Sequence, residues 1–546
     1  MREAIGRSLR VPANLALAAI ALFLLAAAVS VPVDRKGDGS EYILATESLY
    51  YDHDLVIDNT VDIFRHIDIR PQWMDTPAGL TRMQGTDGVE RYGLHSFYYP
   101  VLCLPFYAAF GYHGFYILNA LLIVVIIAAV YAHLGRTQPR GRALALAAGG
   151  VFLSAAWSYV FWTQTEPFYT ALIALHLYFW HANRPLRGAA CMGIALGAQL
   201  PLALLGVPLL VESLVKRRLK TALLVAGIYL LCAAPQLAYD VHYLGTVAPM
   251  MRMGLASTRY VSLGTWFRMI FDPAMGLVWF YPVALYCLVR WRPTWRSASL
   301  LLATGLVLLA MTSVYNVYSH QVGARYACYA LPVLFFCVED VGLDGVWSRL
   351  TAASTVVIGA GLAINPVDNS RDMDLRHKTF LPYRIAAALG LSNENPEVFR
   401  ASSDEIVPGR VYARRVTRDH WTWGDERAEL MLVGVEPGIL DLDLRAYATL
   451  YAEGPDQRLR IETMSGAKVE RSLPAKEVTR VSVRLDPADV HEYVRWAKTY
   501  TYVTIWADSW SPAITMEGHP PEAHDIRRLG VNIVRIALGG ETLLEQ

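Results

Sequence analysis

Three carboxylates, three cationic side chains and a tyrosine are the residues most able to do chemistry in this chain. Asp38 and Glu41 open the stretch GDGSEYILATESLYYDHDL from Gly37 to Leu55. They stand just beyond a long apolar run and are followed by Tyr42, Ala45 and Leu49 at helical spacing. Acids beside aromatics at a membrane surface could serve as a general base, a metal site or a cation pathway. The bland alternative is a solvated helix start, where Asp and Ser are favoured caps. Glu166 interrupts an apolar stretch between Thr165 and Pro167. It is either a turn residue or a carboxylate held at the membrane boundary, where charge is costly without a task. His95 in YGLHSFYYP and Arg325 in YNVYSHQVGARYACYALP, with His320 nearby, offer cationic partners. The planar fork of an arginine suits a phosphate, although an arginine at the end of a span can also snorkel to lipid headgroups. Asp272-Pro-Ala-Met-Gly276 reads as a helix N-cap with proline in the first turn.

The elements that must position these residues are membrane spans. Of 546 residues, 54% are apolar and 18% charged, against roughly 25% charged in a soluble protein. Mean hydropathy is +0.29. Forty-nine basic and 48 acidic residues leave a net charge of +1, which argues against a nucleic-acid partner. The six cysteines fall in apolar stretches before residue 340 and show no zinc-like spacing. The run Val11–Val33 is longer than a signal-peptide core and reads as an uncleaved first span.

Further charge-free runs lie near Tyr112–Leu134, Ala143–Thr165, Pro167–Asn183, Gly188–Val211, Thr221–Tyr239, Pro273–Val289, Ser297–Ser319, Tyr326–Val338 and Leu350–Val367. Basic clusters at Arg136–Arg142, Arg184–Arg187, Lys216–Lys220 and Arg290–Arg296 are then cytoplasmic. Parity makes Phe97–Gly111 an interfacial or re-entrant piece and breaks Gly188–Val211 into two short spans near Pro201 and Pro208. The expected fold is a polytopic α-helical membrane protein of about eleven spans, with its C-terminus outside. Residues 1–366 form the membrane domain, with a first extracytoplasmic loop at 34–96, and residues 367–546 an extracytoplasmic β-rich domain. In that domain Arg458–Glu462, Val481–Leu485, Tyr502–Trp506 and Val531–Ile536 alternate with period two, as in a β-sandwich.

The combined pattern resembles the GT-C glycosyltransferases, integral membrane enzymes that use polyprenyl-phosphate-linked sugars, such as aminoarabinose, protein O-mannosyl and arabinofuranosyl transferases. The resemblance covers roughly residues 11–365. It rests on DGSEY after span one, SLYYDHDL behind it, HSFYYPVLCLPFYAAFG, TEPFYTALIALHLY, FDPAMGLVWFYP and GARY…LP, in the family's order. Many members have adjacent acids in the first loop, whereas Gly39 and Ser40 separate Asp38 from Glu41 here. Which of the two acts as base stays open. His95 stands where some relatives carry lysine. The tail, from TWGDERAELMLVG to DIRRLGVNIVRIAL, is similar to β-sandwich accessory domains of bacterial sugar enzymes, and Trp421, Trp423, Trp506 or Trp510 could stack on sugar faces.

The resemblance implies an inverting transferase in the bacterial inner (plasma) membrane. It would move a sugar from a polyprenyl-phosphate donor to an extracytoplasmic glycan, lipid or protein acceptor. Asp38 is the expected base and Glu166 the second carboxylate, while Arg325, His95 and His320 attend the leaving phosphate. Tyr42 would desolvate the base. The resemblance makes no cofactor certain, and a divalent metal ion is a candidate. The rivals are a transporter or flippase for lipid-linked sugar, and a non-catalytic envelope scaffold.

Overall fold

The structure is a computed structural model. It describes residues 10–33, 38–55, 82–84, 86, 90–92, 96–252, 256–258, 261–273, 276–313, 325–338, 340–364, 366–367, 381, 404–407, 410–414, 421–423, 427–446, 456–474, 477–493, 498–507 and 529–545. His95, His320 and Trp510 lie outside them. The chain divides into two compact units. One comprises Met1–Asp34, Glu41–Val56 and Met83–Ser392, and the other Arg35–Ser40, Ile57–Arg82 and Asn393–Gln546.

The first unit is helical. Its principal helices are α1 (Arg10–Ser30), α2 (Asp38–Glu47), α3 (Tyr98–Phe110), α4 (His113–Leu134), α5 (Arg140–Phe152), α6 (Glu166–His181), α7 (Pro185–Ala198), α8 (Ala203–Val215), α9 (Leu219–Leu244), α10 (Leu263–Phe271), α11 (Val283–Val289), α12 (Trp295–Met311), α13 (Ala330–Phe336) and α14 (Val346–Ile364). Among the described residues three helical stretches are long and apolar enough to cross a membrane: His113–Leu134, Leu219–Arg252 and Val346–Ile364. A fourth results if Arg140–Phe152 and the 3-10 turn Ala155–Phe161, bent by 65°, form one span. Shorter apolar helices include Asn14–Ser30, Tyr98–Phe110 and Trp295–Met311.

Several irregularities have local causes. Helix α3 has 13 residues, about 20 Å of helix, too short to cross the roughly 30 Å hydrocarbon core. It ends at Gly111 with φ +57°, and α4 packs back on it at Gly114. A Cβ there would come within 2.5 Å of the Phe106 backbone. The run Gly188–Val211 breaks at Gln199, which is extended, and at the 3-10 turn Leu200–Leu202 containing Pro201, whereas Pro208 sits inside α8. Helices α7 and α9 meet through Gly193 and Gly197, four residues apart. Cβ atoms there would stand 2.7 Å from Cys232 Cβ and 2.9 Å from Ala233 Cα, the close approach that small residues allow between apolar helices. The N-cap reading of Asp272 needs correction. Asp272 is the C-cap of α10 and pairs with Arg268 at 3.0 Å. Gly276 is the N-cap of the short helix Leu277–Phe280 that follows, so the helix after Asp272 starts four residues later than the N-cap reading requires.

The small ladder of β1 (Arg82–Gln84) with β2 (Glu90–Tyr92) falls in the first unit from Met83 onward. The second unit is built of antiparallel strands. One sheet joins β3 (Asp404–Val407), β4 (Val411–Arg414), β6 (Arg427–Val433), β12 (Lys498–Ala507), β8 (Gln457–Thr463) and β9 (Lys468–Leu473) in that order, with β11 (His491–Tyr493) on β12. The other joins β10 (Val478–Leu485), β7 (Gly438–Ala446), β13 (Leu529–Leu538) and β14 (Glu541–Glu545), with β5 (Trp421–Trp423) on β13. Period-two alternation buries Leu440, Leu442 and Leu444 of β7 and turns Asp441 and Asp443 outward. Residues from both sheets, among them Leu442, Val483, Leu430, Ile461 and Val503, share one buried cluster.

Candidate functional site

Helix α2 begins at Asp38, so the first acid of the sequence pattern heads a helix that carries Glu41 one turn on. Glu41 is buried and lines a recess with Tyr42, Ser96, Phe97, Pro100 and Tyr239. Tyr42 is buried too, edge-on to Tyr99 with ring centroids 5.4 Å apart. Its hydroxyl lies 3.2 Å from that of Thr165. That contact ties α2 to the segment preceding α6.

Glu166 is the first residue of α6, with Thr165 as N-cap and Pro167 in the first turn. An acid there meets the positive end of the helix dipole, and proline's fixed φ suits the position. Glu166 is 3% exposed, and its Oε1 lies 3.7 Å from Nε of Arg325. Arg325 opens the 3-10 turn Arg325–Tyr329. Its Nη1 donates to Gln164 Oε1 at 3.0 Å and its Nη2 to the Tyr326 hydroxyl at 3.0 Å. The guanidinium carbon stands 5.0 Å from the centre of the Tyr326 ring. The fork is therefore oriented on three sides, beside a carboxylate it approaches without a close bidentate pairing.

A second layer holds this segment in place. Asn119 of α4, fully buried, accepts from the Tyr99 hydroxyl at 3.0 Å and donates to the carbonyls of Trp162 at 2.5 Å and Tyr159 at 3.3 Å. The structure thus brings Tyr42, Glu166 and Arg325 together, with Gln164, Thr165 and Tyr326 as additions that their side chains alone did not single out. Among the described residues no three or more His, Cys, Asp or Glu side chains gather as a metal site.

Two further buried acids escaped the sequence reading. Glu47 is fully buried on α2 and accepts from the Tyr107 hydroxyl. Asp240, 5% exposed on α9, accepts from Gln236 Nε2 at 2.8 Å. Gln236 in turn accepts from the Phe97 backbone N–H at 3.1 Å, so this pair supports the recess that Glu41 lines. The available signal for Asp240 was a carboxylate inside an otherwise apolar helix, obscured because the charge-free run stops at Tyr239.

Several solved structures are similar to this chain, among them the following two. ArnT from Cupriavidus metallidurans, bound to undecaprenyl phosphate, is 14% identical with a TM-score of 0.44, the match covering 71% of each chain. The arabinosyltransferase EmbB from Mycobacterium smegmatis is 11% identical with a TM-score of 0.28, the match covering 92% of this chain and 64% of EmbB. No family model and no curated protein matches the chain.

Proposed function

We propose that the chain is an inverting membrane glycosyltransferase that takes its sugar from a lipid-phosphate donor. The observation that carries this reading is the buried Glu166 and Arg325 pair, joined through Thr165 to the helix that begins at Asp38. In the proposed reaction an acceptor hydroxyl attacks C1 of the sugar from the face opposite the phosphate. The hydroxyl proton passes to a carboxylate, a C–O bond forms at C1, and the old C1–O bond breaks with its electron pair leaving on the phosphate. Asp38 takes the proton, Glu166 positions the acceptor, and Arg325 stabilises the charge gathering on the phosphate. Glu41 is the alternative base. His95 and His320 keep their proposed place beside the phosphate. Donor and acceptor meet at the membrane boundary because the lipid cannot leave the bilayer and a hydrophilic acceptor cannot enter it.

The C-terminal unit is proposed to be an extracytoplasmic accessory domain that binds glycan. A groove lined by half-buried Trp506 with Thr504, Arg458, Arg460, Glu462 and Glu470 offers one aromatic face among hydrogen-bonding groups. Asp240, a buried carboxylate in a long apolar helix, favours a second reading as a transporter or flippase of the same lipid-linked sugar.

The deciding experiment incubates the purified full chain with a panel of lipid-linked sugars and follows donor consumption, using Asp38→Asn, Glu41→Gln and Glu166→Gln as companions. Asp38→Asn is expected to abolish transfer with folding and donor binding retained. Should Asp38→Asn stay active and Glu41→Gln die, the base is Glu41. Activity in both, or movement of intact donor across vesicles without its consumption, removes the transferase reading.

A further inference from the structure

At the other end of α6 from Glu166 lies a cleft of about 440 Å³ that the transfer chemistry does not use, within the size range of small-ligand sites. Fifteen residues separate Glu166 from His181, placing the two sites about 22 Å apart along the helix axis. Four cations, Arg136, Lys216, Arg292 and Arg296, line this cleft against the carboxylate of Glu212.

Glu212 is already committed. Arg296 grips it in two hydrogen bonds of 2.9 and 2.6 Å, Trp180 Nε1 donates to it at 2.7 Å, and Lys216 pairs with it. The acid therefore fixes one wall of the cleft, and Arg136, Lys216 and Arg296 alone outnumber it. Arg136 is held from the other side: Nη1 donates to the His181 carbonyl at 2.8 Å and the guanidinium sits 5.5 Å from the Tyr178 ring. That engages one of its five donors. His133, stacked on Phe336 with centroids 4.2 Å apart, has a buried Nδ1 that makes no hydrogen bond among the described residues. The rim is apolar and open, with Trp295 58% and Val215 72% exposed.

We infer that this cleft binds the phosphate group of an anionic molecule, at a site separate from the transfer centre. Arginines lining one cleft, an imidazole nitrogen with no partner among the described residues and more cations than acids suit a group with several acceptor oxygens. An exposed tryptophan at the rim suits a ligand whose other end lies in the bilayer. The inference holds whether or not the chain is a transferase.

The test uses the full-length protein, delipidated in neutral detergent and examined by native mass spectrometry. The probes are dioleoyl phosphatidic acid, dioleoyl phosphatidylcholine and inorganic phosphate. Wild type should retain one phosphatidic acid in preference to phosphatidylcholine. The double variant Arg136→Gln/Arg292→Gln, both exposed positions, should lose about tenfold or more of that binding, the loss expected from one charged hydrogen bond, with melting temperature unchanged. His133→Phe, which keeps the stacking and removes the nitrogen, should weaken it as well. Competition by millimolar phosphate would assign the site to soluble phosphate compounds, and lack of competition to a lipid; either supports the inference. Equal retention of the two lipids by wild type without displacement by phosphate, or undiminished binding by the double variant, overturns it.

Discussion

Arg325 and Asn119 bear different burdens at the candidate site. Arg325 places its guanidinium between Gln164, Tyr326 and Glu166, so it is already oriented before any phosphate arrives. If it stabilises the leaving group, Arg325→Ala should lower turnover by about 100- to 1000-fold, the scale set by losing one preorganised charge-stabilising donor. Arg325→Lys should recover only part of this, because a point charge does not replace the fork. Steady-state rates with a lipid-linked sugar measure both, and near-normal turnover of the alanine variant would remove Arg325 from the site. Asn119 does no chemistry but satisfies two carbonyls and a hydroxyl in a fully buried place. Asn119→Leu strands those groups, each at a cost of about 1–3 kcal/mol. The variant should melt at a lower temperature in detergent and lose turnover with it. An unchanged melting temperature would show that the loop before Glu166 is held by other means.

Among the elements, α7 and α9 depend on each other most visibly. Neither Gly193 nor Gly197 leaves space for a side chain against Cys232, Tyr229 and Ala233. Gly193→Val would push the helices apart, and overpacking of this kind costs about 1–3 kcal/mol or more. The consequence should reach the site through Gln236 and Asp240, which lie further along α9 and hold the Phe97 backbone. Gly193→Val is therefore expected to reduce folded yield and thermal stability, read by size-exclusion profile and melting curve. Gly227, also on α9 but with open space around its Cβ position, is the control. If Gly193→Val behaves like Gly227→Val, the close approach is not a stability determinant.

At the scale of the whole molecule, the two units should respond to different conditions. In the β-rich unit Asp443 faces Arg480 across β7 and β10, with hydrogen bonds of 2.7 and 2.9 Å. The Arg480 guanidinium holds the Asp443 carboxyl below its ordinary range. A carboxyl whose pKa is lower folded than unfolded contributes stability that is complete above the unfolded value, about 3.9. That stability fades as pH falls through the folded value. The unfolding transition of this unit, followed by hydrogen exchange on the full chain, should therefore weaken progressively below about pH 4. Asp443→Asn should flatten that contribution while lowering stability at neutral pH. An identical acid profile in the variant would assign the acid sensitivity elsewhere. The orientation of the units across the bilayer is a separate matter. Reporter fusions near Arg140 or Arg217 should read cytoplasm and one following Val367 the extracytoplasmic side. A cytoplasmic C-terminal reporter would overturn the topology derived from basic clusters and parity.

Much of the architecture was legible in residue order because the bilayer and the pleated sheet impose simple periods. A charge-free run such as Tyr112–Leu134 becomes α4 because its backbone polar groups must be satisfied within the segment. The alternation in Val481–Leu485 becomes β10 because one face must be buried. The break near Pro201 was visible for an equally local reason, proline's missing donor. Pairing was not legible. That Arg325 meets Glu166, 159 residues earlier in the chain, and that Tyr42 reaches Thr165, are decided by how the helices cross, which periodicity does not encode. Asp240 and Glu47 show the same limit from the other direction. Each looks in sequence like a charge near an apolar run, and only packing shows that the first supports a recess through Gln236 while the second is sealed against Tyr107. Residue order determined which segments become apolar helices and which alternate into sheets, since those depend on local periodicity and transfer free energies. Which charges face one another was settled by tertiary structure alone, because that depends on contacts between segments far apart in the chain.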